Sequence, residues 1–387
     1  MSDESRRDFL RHCTYAALGT CALLTGLDLR RLEAAGKHPV GMKEASFYTR
    51  LADNEVQCHL CPCTCNPVKQ PIPGRLKDGQ TCACNVRTNR GGTLYVTNYG
   101  RAGVLRQDPI EKNPLYHFHP AASALTVAAP GCSLACKGCQ NWQLSQSGTE
   151  EVDTVDAPPE KVIKLARQEG CRAISYTYTE PMVFYEYMTD IARLARDQEK
   201  RIYNTVVTGG YVFSEAVKYL CKVVDAFSIS VKAFNDLDYY DYARGKLSVI
   251  QKTMTTVREC DRWLEVVVLV IPTISDDLKA MQRFLRWVKT ELGANTPVHL
   301  DRFWPSYKLT NLPQTPAKVL EDARALAVAE GLKYAYVGNL PGHRFANTYC
   351  PKCGKVLIRR VAFTVAENNL IGGACPACKQ PIPGVWG

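Results

Sequence analysis

Residues 131–142 read GCSLACKGCQNW, three cysteines within a dozen residues, set between a run of small apolar residues and a polar segment. The spacing is C-x3-C-x2-C, with Cys132, Cys136 and Cys139 as its members. Structural zinc closes with four ligands and disulfides take thiols in pairs, so three thiols leave a fourth position to be filled from elsewhere. What surrounds the stretch decides the fold. Short β-branched or aromatic runs appear at ALTVAAP (124–130), AISYTY (173–178), YNTVVT (203–208), AFSISVK (226–232), LEVVVLVIP (264–272) and VHLDRF (298–303). Between them, PEKVIKLARQEG, MVFYEYMTDIARLARDQEK and DDLKAMQRFLRWVKTEL repeat apolar residues at three- and four-residue steps, the signature of amphipathic helices. TPAKVLEDARALAVAEG and KYAYVG add one more helix and strand. Repeated βα units imply a parallel sheet with right-handed crossovers, and six consecutive units predict an α/β fold built on a partial TIM-like (β/α)6 barrel.

In such barrels the functional groups sit at the C-terminal ends of the strands. The three-cysteine loop follows the first strand, and Glu180 in TEP follows the second. Thr208-Gly209-Gly210-Tyr211 follows the third, and Ser230 and Lys232 end the fourth. His299 and Arg302 lie on the sixth, ahead of FWPSYK. Three thiolates at a barrel mouth suit a 4Fe-4S cluster with one iron free of protein ligands. That iron can take the amino and carboxylate groups of S-adenosylmethionine (SAM), and one electron then cleaves the sulfonium C–S bond to a 5′-deoxyadenosyl radical. The spacing alone also fits a zinc site completed by a distant His, or three unrelated buried cysteines. Placement at a strand end favours the cluster.

The bulk numbers agree with one large α/β domain plus attachments. The 387 residues are 46% hydrophobic, and a net charge of +10 is scattered rather than blocked, which reads as solvated faces rather than nucleic-acid binding. Most of the 18 cysteines fall in C-x2-C or C-x3-C groups, a pattern for chelating metal rather than for a disulfide framework. Four segments follow: a leader (1–36), a Cys-rich segment (50–118), the barrel (120–345) and a tail (346–387). The leader, SRRDFLRHCTYAALGTCALLTGLDL, places Arg6-Arg7 before an apolar stretch and resembles a twin-arginine export signal, which predicts a periplasmic protein. Its apolar stretch is too short and polar for a transmembrane span. Because SAM is a cytoplasmic metabolite, a retained leader on a cytoplasmic or membrane-associated protein is the alternative. In the tail, Cys350-x2-Cys353 and Cys375-x2-Cys378 form two knuckles about twenty residues apart, a zinc-ribbon pattern with a rubredoxin-like iron site as runner-up. Cys171, Cys221 and Cys260 read as buried apolar residues, and His117 and His119 as part of a loop sealing the barrel bottom.

GCSLACKGCQNW, YTYTEPMVFYEY, VVTGGY, VKAF, RFWPSYKLTNLPQTP and YVGNLPG together resemble the radical SAM enzymes of the AmmeMemoRadiSam system, relatives of the pyruvate formate-lyase activating enzymes. The resemblance runs from about residue 56 to the C-terminus. It implies a (β/α)6 radical SAM core with the cluster on Cys132, Cys136 and Cys139. It further implies that Glu180 receives the SAM amino group, with Thr208 and Lys232 near the carboxylate and ribose. Gly209, Gly210, Ser230, His299 and Arg302 complete the cofactor-binding set expected on the strand ends. An electron donor such as a flavodoxin or ferredoxin belongs to the same implication; the substrate is a protein, attacked at a glycine Cα–H as by the glycyl-radical activases, or a small molecule. Departures stand beside it. Gly138 replaces the usual adenine-touching aromatic, Ser133 a common Asn, and Ser230 an Asp two before the lysine. Trp142 is either the missing aromatic surface or a core residue.

Cys58, Cys61 and Cys65, with Cys84 further on, resemble the four-cysteine N-terminal block of these relatives, with Cys63 in place of a usual His and Cys82 additional. Zinc, a second iron–sulfur cluster that relays electrons, or a mixture fits these thiols, and a disulfide patch fits them in an exported protein. Two rival functions accompany the enzyme reading: an iron–sulfur electron-transfer protein without SAM, and a zinc-bearing binding module. Neither needs a barrel with polar groups at every strand end.

Overall fold

The computed structural model describes residues 40–63 and 74–387. The proposed leader and Cys65 lie outside them. Seven parallel strands form the centre: β1 (Ser123–Ala128), β2 (Ala173–Tyr176), β3 (Tyr203–Thr208), β4 (Ala226–Val231), β5 (Trp263–Val270), β6 (Val298–Arg302) and β7 (Ala335–Gly338). They hydrogen-bond in sequence order, and an antiparallel strand, Val104–Pro109, closes the β1 edge with Val104 opposite Ala128 and Pro109 opposite Ser123. The sheet curls with helices outside it, a partial barrel. Its strands are continuous apolar runs because both faces are covered, the rule for parallel sheets; β2 and β7 are buried at every position.

Helices return the chain after most strands. Their starts are fixed locally: Asp277 caps Leu278–Trp287 by accepting from the Lys279 and Ala280 amides, and Asn235 caps Asp236–Ala243 by accepting from Asp238. Arg244, left-handed at φ 59°, stops the latter helix and turns the chain back toward the barrel mouth. Among the described residues no helix is long and apolar enough to cross a membrane.

The N-terminal segment folds into two small antiparallel sheets. Gly41–Glu44, Thr93–Tyr99 and Arg87–Arg90 make one, and Tyr48–Arg50, Val56–Cys58 and Arg75–Leu76 the other. A buried ion pair ties them to the barrel: the Arg87 guanidinium donates to both Glu186 oxygens at 2.9 and 2.8 Å. Breaking such a pair would strand a buried charge, at a cost of about 3–5 kcal/mol.

The tail is a three-stranded antiparallel sheet, Thr348–Tyr349, Val356–Val361 and Thr364–Asn368, docked at the N-terminal ends of the barrel strands. Tyr116, Tyr334 and Tyr336 form one buried cluster with Leu357, Ile358 and Ile382 of the tail. Arg360 donates to the Tyr116 carbonyl at 2.8 Å. His117 Nδ1 donates to the Pro383 carbonyl at 2.6 Å while Nε2 accepts from the Tyr336 hydroxyl at 2.5 Å. Burial lowers the His117 pKa to about 4, so the ring is neutral near pH 7, as that pattern requires. The HFHP loop does seal the barrel bottom.

Candidate functional site

At the other end of the barrel the chain leaves β1 through Pro130-Gly131 and enters the three-cysteine loop. Gly131 has φ +99°, and a Cβ there would lie 2.6 Å from the Cys84 carbonyl oxygen, so the N-terminal segment presses directly on the start of the loop. Backbone bonds pin the loop from two sides. Ala135 and Lys137 amides donate to the Ala243 and Tyr242 carbonyls at 2.9 and 3.0 Å. Ser306 Oγ donates to the Cys139 carbonyl at 3.2 Å. The Leu134 amide donates to Cys132 Sγ at 3.3 Å, and Ser145 Oγ lies 3.3 Å from Cys139 Sγ.

Burial pushes the Cys136 thiol up to about 12 against the pull of Lys232, and pushes Cys132 up as well. Thiols so placed ionise only beside a positive centre, and metal ions are the usual one. Among the described residues, the only set of three or more metal-ligating atoms all within 4.8 Å of one another is Cys350, Cys353, Cys375 and Cys378 in the tail. That spacing suits four ligands on one ion. Cys132, Cys136 and Cys139 do not form such a set.

Glu180 lies in the loop that follows β2, as the cap of the short 3-10 helix Pro181–Phe184. Its buried carboxylate accepts from Thr208 Oγ1 at 2.6 Å, the Gly209 amide at 2.9 Å and the Met182 amide at 3.2 Å. The Gly210 amide donates back to Thr208 Oγ1 at 2.9 Å. Burial raises the Glu180 pKa, opposed by these donors and by the Lys232 charge. Gly209 brings the backbone close to the cysteine loop: a Cβ there would lie 2.5 Å from Leu134 Cδ1 and 3.3 Å from Glu180 Oε2, so Leu134 would have to shift. Cys132, Cys136, Glu180, Thr208, Gly209, Gly210 and Lys232 therefore form one connected group.

Other expected residues are placed differently. His299 is corrected: it is the second residue of β6, in register with Val267, and its Nε2 donates to Glu265 at 2.7 Å near the bottom of the barrel. Glu265 also accepts from the Tyr116 and His117 amides and from Trp263 Nε1. Burial opposes its charge, yet His299 and these donors hold its pKa down to about 2. Arg302 does end β6, with Nε donating to the Thr315 carbonyl at 2.8 Å and its guanidinium 5.0 Å above the Trp304 ring. Ser230 enters through its carbonyl, which accepts from the Tyr239 hydroxyl at 3.4 Å. Trp142 is no core residue; it is 39% exposed and stacks on Tyr307 with ring centroids 5.0 Å apart. The space beside Gly138 is filled by Phe303 Cε2 and the Tyr242 hydroxyl, 2.8 and 3.1 Å from where a Cβ would be.

Sequence reasoning missed Asp301. It is buried at the penultimate position of β6, its Oδ1 has no hydrogen-bond partner among the described residues, and burial raises its pKa to about 6. Strand alternation puts it on the same face as His299 and nearer the mouth, a signal that was available.

A parallel βα barrel with a three-cysteine loop at its mouth defines a radical SAM domain, and residues 126–285 match the radical SAM superfamily. An uncharacterized protein of Methanocaldococcus jannaschii is 41% identical over 329 residues, 85% of this chain and 95% of its own length. Residues 126–285 are thus a radical SAM superfamily domain, and the chemistry of that superfamily is radical cleavage of SAM. Among solved structures, it is similar to a radical SAM methyltransferase from Sphaerobacter thermophilus (17% identity, 57% of this chain and 67% of that one, TM-score 0.44). It is also similar to a domain of pyruvate-formate lyase-activating enzyme from Bacteroides vulgatus (17% identity, 43% of this chain and 99% of that one, TM-score 0.38).

Proposed function

We propose that this chain is an activating-enzyme-like radical SAM enzyme, of the kind found in the AmmeMemoRadiSam system, that abstracts hydrogen from a protein substrate. Cys132, Cys136 and Cys139 would hold a 4Fe-4S cluster. When bound and reduced, such a cluster supplies the single electron that breaks the sulfonium bond of SAM. The chain's own residues do the rest. Glu180, held by Thr208 and Gly209, presents a carboxylate for the SAM amino group, a charge-assisted hydrogen bond of the stronger kind. Lys232 faces both Cys136 and Glu180 and offers a cation to the SAM carboxylate. Gly209 and Gly210 keep the floor open at backbone level. A flavodoxin or ferredoxin would donate the electron, and zinc would fill the tail set.

The observation that carries this reading is the Glu180–Thr208–Gly209 cradle in contact, through Leu134, with the three-cysteine loop. The test is anaerobic reconstitution with iron and sulfide, reduction by a one-electron donor, and chromatography for 5′-deoxyadenosine and methionine. Their formation from SAM supports the reading. A fully reconstituted, reduced protein that leaves SAM intact overturns it in favour of simple electron transfer.

A further inference from the structure

Two cysteines that the SAM site leaves unused meet on the outer, helical layer of the barrel. They belong to the neighbouring helices Ser214–Leu220 and Leu247–Glu259. Hydrogen bonds mark the rungs between these helices. Thr253 Oγ1 donates to the Gly210 and Val212 carbonyls, just ahead of the first helix, at 2.8 and 3.3 Å. Further along, Thr256 Oγ1 donates to Ser214 Oγ at 3.3 Å. Partners that advance together along both segments mean helices running in the same direction. Residues a turn apart share a face, so the next rung carries Cys260 toward the far end of the shorter helix. There the Cys221 thiol hydrogen-bonds the Cys260 sulfur.

Both residues are fixed by the backbone. Cys221 follows the first helix directly, its amide donating to the Val217 carbonyl at 2.9 Å. Cys260 follows the second, its amide donating to the Thr256 carbonyl at 3.1 Å. Asp261, left-handed at φ 56°, then stops the helix, and the Arg262 amide closes on the Val257 carbonyl at 3.2 Å. The two sulfurs therefore face each other from rigid helix ends.

The surroundings give the two thiols different parts. Cys221 is 3% exposed while Cys260 is only half-buried, so a reagent reaches Cys260 first. Burial, and after it Cys260 itself, push the Cys221 thiol up, with Arg262 opposing them. Lys218 stands close enough to Cys260 for their charges to act on each other. Cations beside a thiol favour the thiolate, which is the nucleophile in disulfide exchange.

We propose that Cys221 and Cys260 are a reversible disulfide site, closed by exchange with a small-molecule disulfide such as oxidised glutathione. The Cys260 thiolate attacks one sulfur of the oxidant and expels the other half as a thiolate. The Cys221 sulfur, losing its proton to solvent, then attacks Cys260 Sγ and expels the second half. The chain gives up two electrons and two protons, and one glutathione disulfide becomes two glutathione thiols. The new bond would join the two helices behind the Gly210 turn, which Thr253 already braces.

The test reads one peptide pair in the full chain. Reconstituted protein is equilibrated without oxygen in buffers running from reduced to oxidised glutathione, quenched in acid, alkylated in denaturant and digested. Trypsin frees the two cysteines as YLCK (219–222) and ECDR (259–262). Mass spectrometry should find these peptides linked at the oxidising end, and separate and alkylated after treatment with dithiothreitol. Cys221→Ser should leave Cys260 as a mixed disulfide with glutathione, whereas Cys260→Ser should leave Cys221 free to be alkylated. Two outcomes in folded parent protein overturn the proposal: both peptides alkylated at the most oxidising ratio, or Cys260 recovered only as its glutathione adduct. SAM, the cluster and the tail metal do not enter this readout, so failure here leaves the SAM-cleaving reading untouched.

Discussion

Glu180→Gln separates the two roles that the cradle combines. The carboxylate serves three buried donors: Thr208 Oγ1 and the Met182 amide on Oε1, and the Gly209 amide on Oε2. A glutamine keeps the shape but turns one oxygen into an NH2. If the amide oxygen keeps Thr208 and Met182, the NH2 meets the Gly209 N–H; if it is flipped, the NH2 meets the Met182 N–H. Either way one buried backbone donor loses its acceptor, which costs about 1–3 kcal/mol of stability. Separately, the proposed bond to the SAM amino group would lose its charge, and a loss of about 1.4 kcal/mol corresponds to tenfold in affinity. The assay is denaturant unfolding of the reconstituted protein alongside titration of SAM followed through the cluster's absorption, with iron counted in both proteins. The variant should keep its iron, unfold at lower denaturant and bind SAM about tenfold more weakly. Equal affinity with iron intact would place Glu180 outside SAM binding and leave it only as a brace for the Thr208–Gly209 turn.

Asp301, held at about 6 by burial against an ordinary carboxyl near 3.8, gives a pH dependence of definite sign. A raised carboxyl favours the protonated folded state, so its contribution is greatest below pH 4 and is lost as pH rises through 6; Asp301→Asn should gain up to about 3 kcal/mol over the parent at pH 8, and the gap should shrink by pH 5.5 in parallel unfolding curves. His299→Ala should cost about 3 kcal/mol by depriving the buried Glu265 of a partner, yet leave the SAM affinity unchanged; weakened SAM binding in a folded variant would return His299 to the cofactor site. Cys350→Ser should release one metal ion by elemental analysis and lower the melting temperature, because the tail covers Tyr116, Tyr334 and Tyr336, while SAM cleavage stays at the parent's level.

The barrel was readable because parallel strands covered on both faces leave unbroken apolar runs, and the strand-end rule pointed to Glu180, Thr208 and Lys232, which the fold brings together. The same rule misplaced His299, since VHLDRF does not reveal where within it the strand begins; with β6 spanning Val298–Arg302, position 299 is near the bottom and 301 and 302 near the mouth. The docking of the tail was not legible, as it depends on Tyr116, Tyr336 and Ile382 meeting across more than two hundred residues of sequence. Nor was the pressure of Cys84 on Gly131, a backbone contact that no side-chain pattern announces.

If Cys132, Cys136 and Cys139 hold the cluster on which SAM is cleaved, none of the three can be spared. The deciding assay is 5′-deoxyadenosine formed by Cys132→Ala, Cys136→Ala and Cys139→Ala, each reconstituted, reduced and checked for folding beside the parent. Product should form in the parent, with none above background in any of the three. Parent-like formation of 5′-deoxyadenosine by any one of them would contradict it.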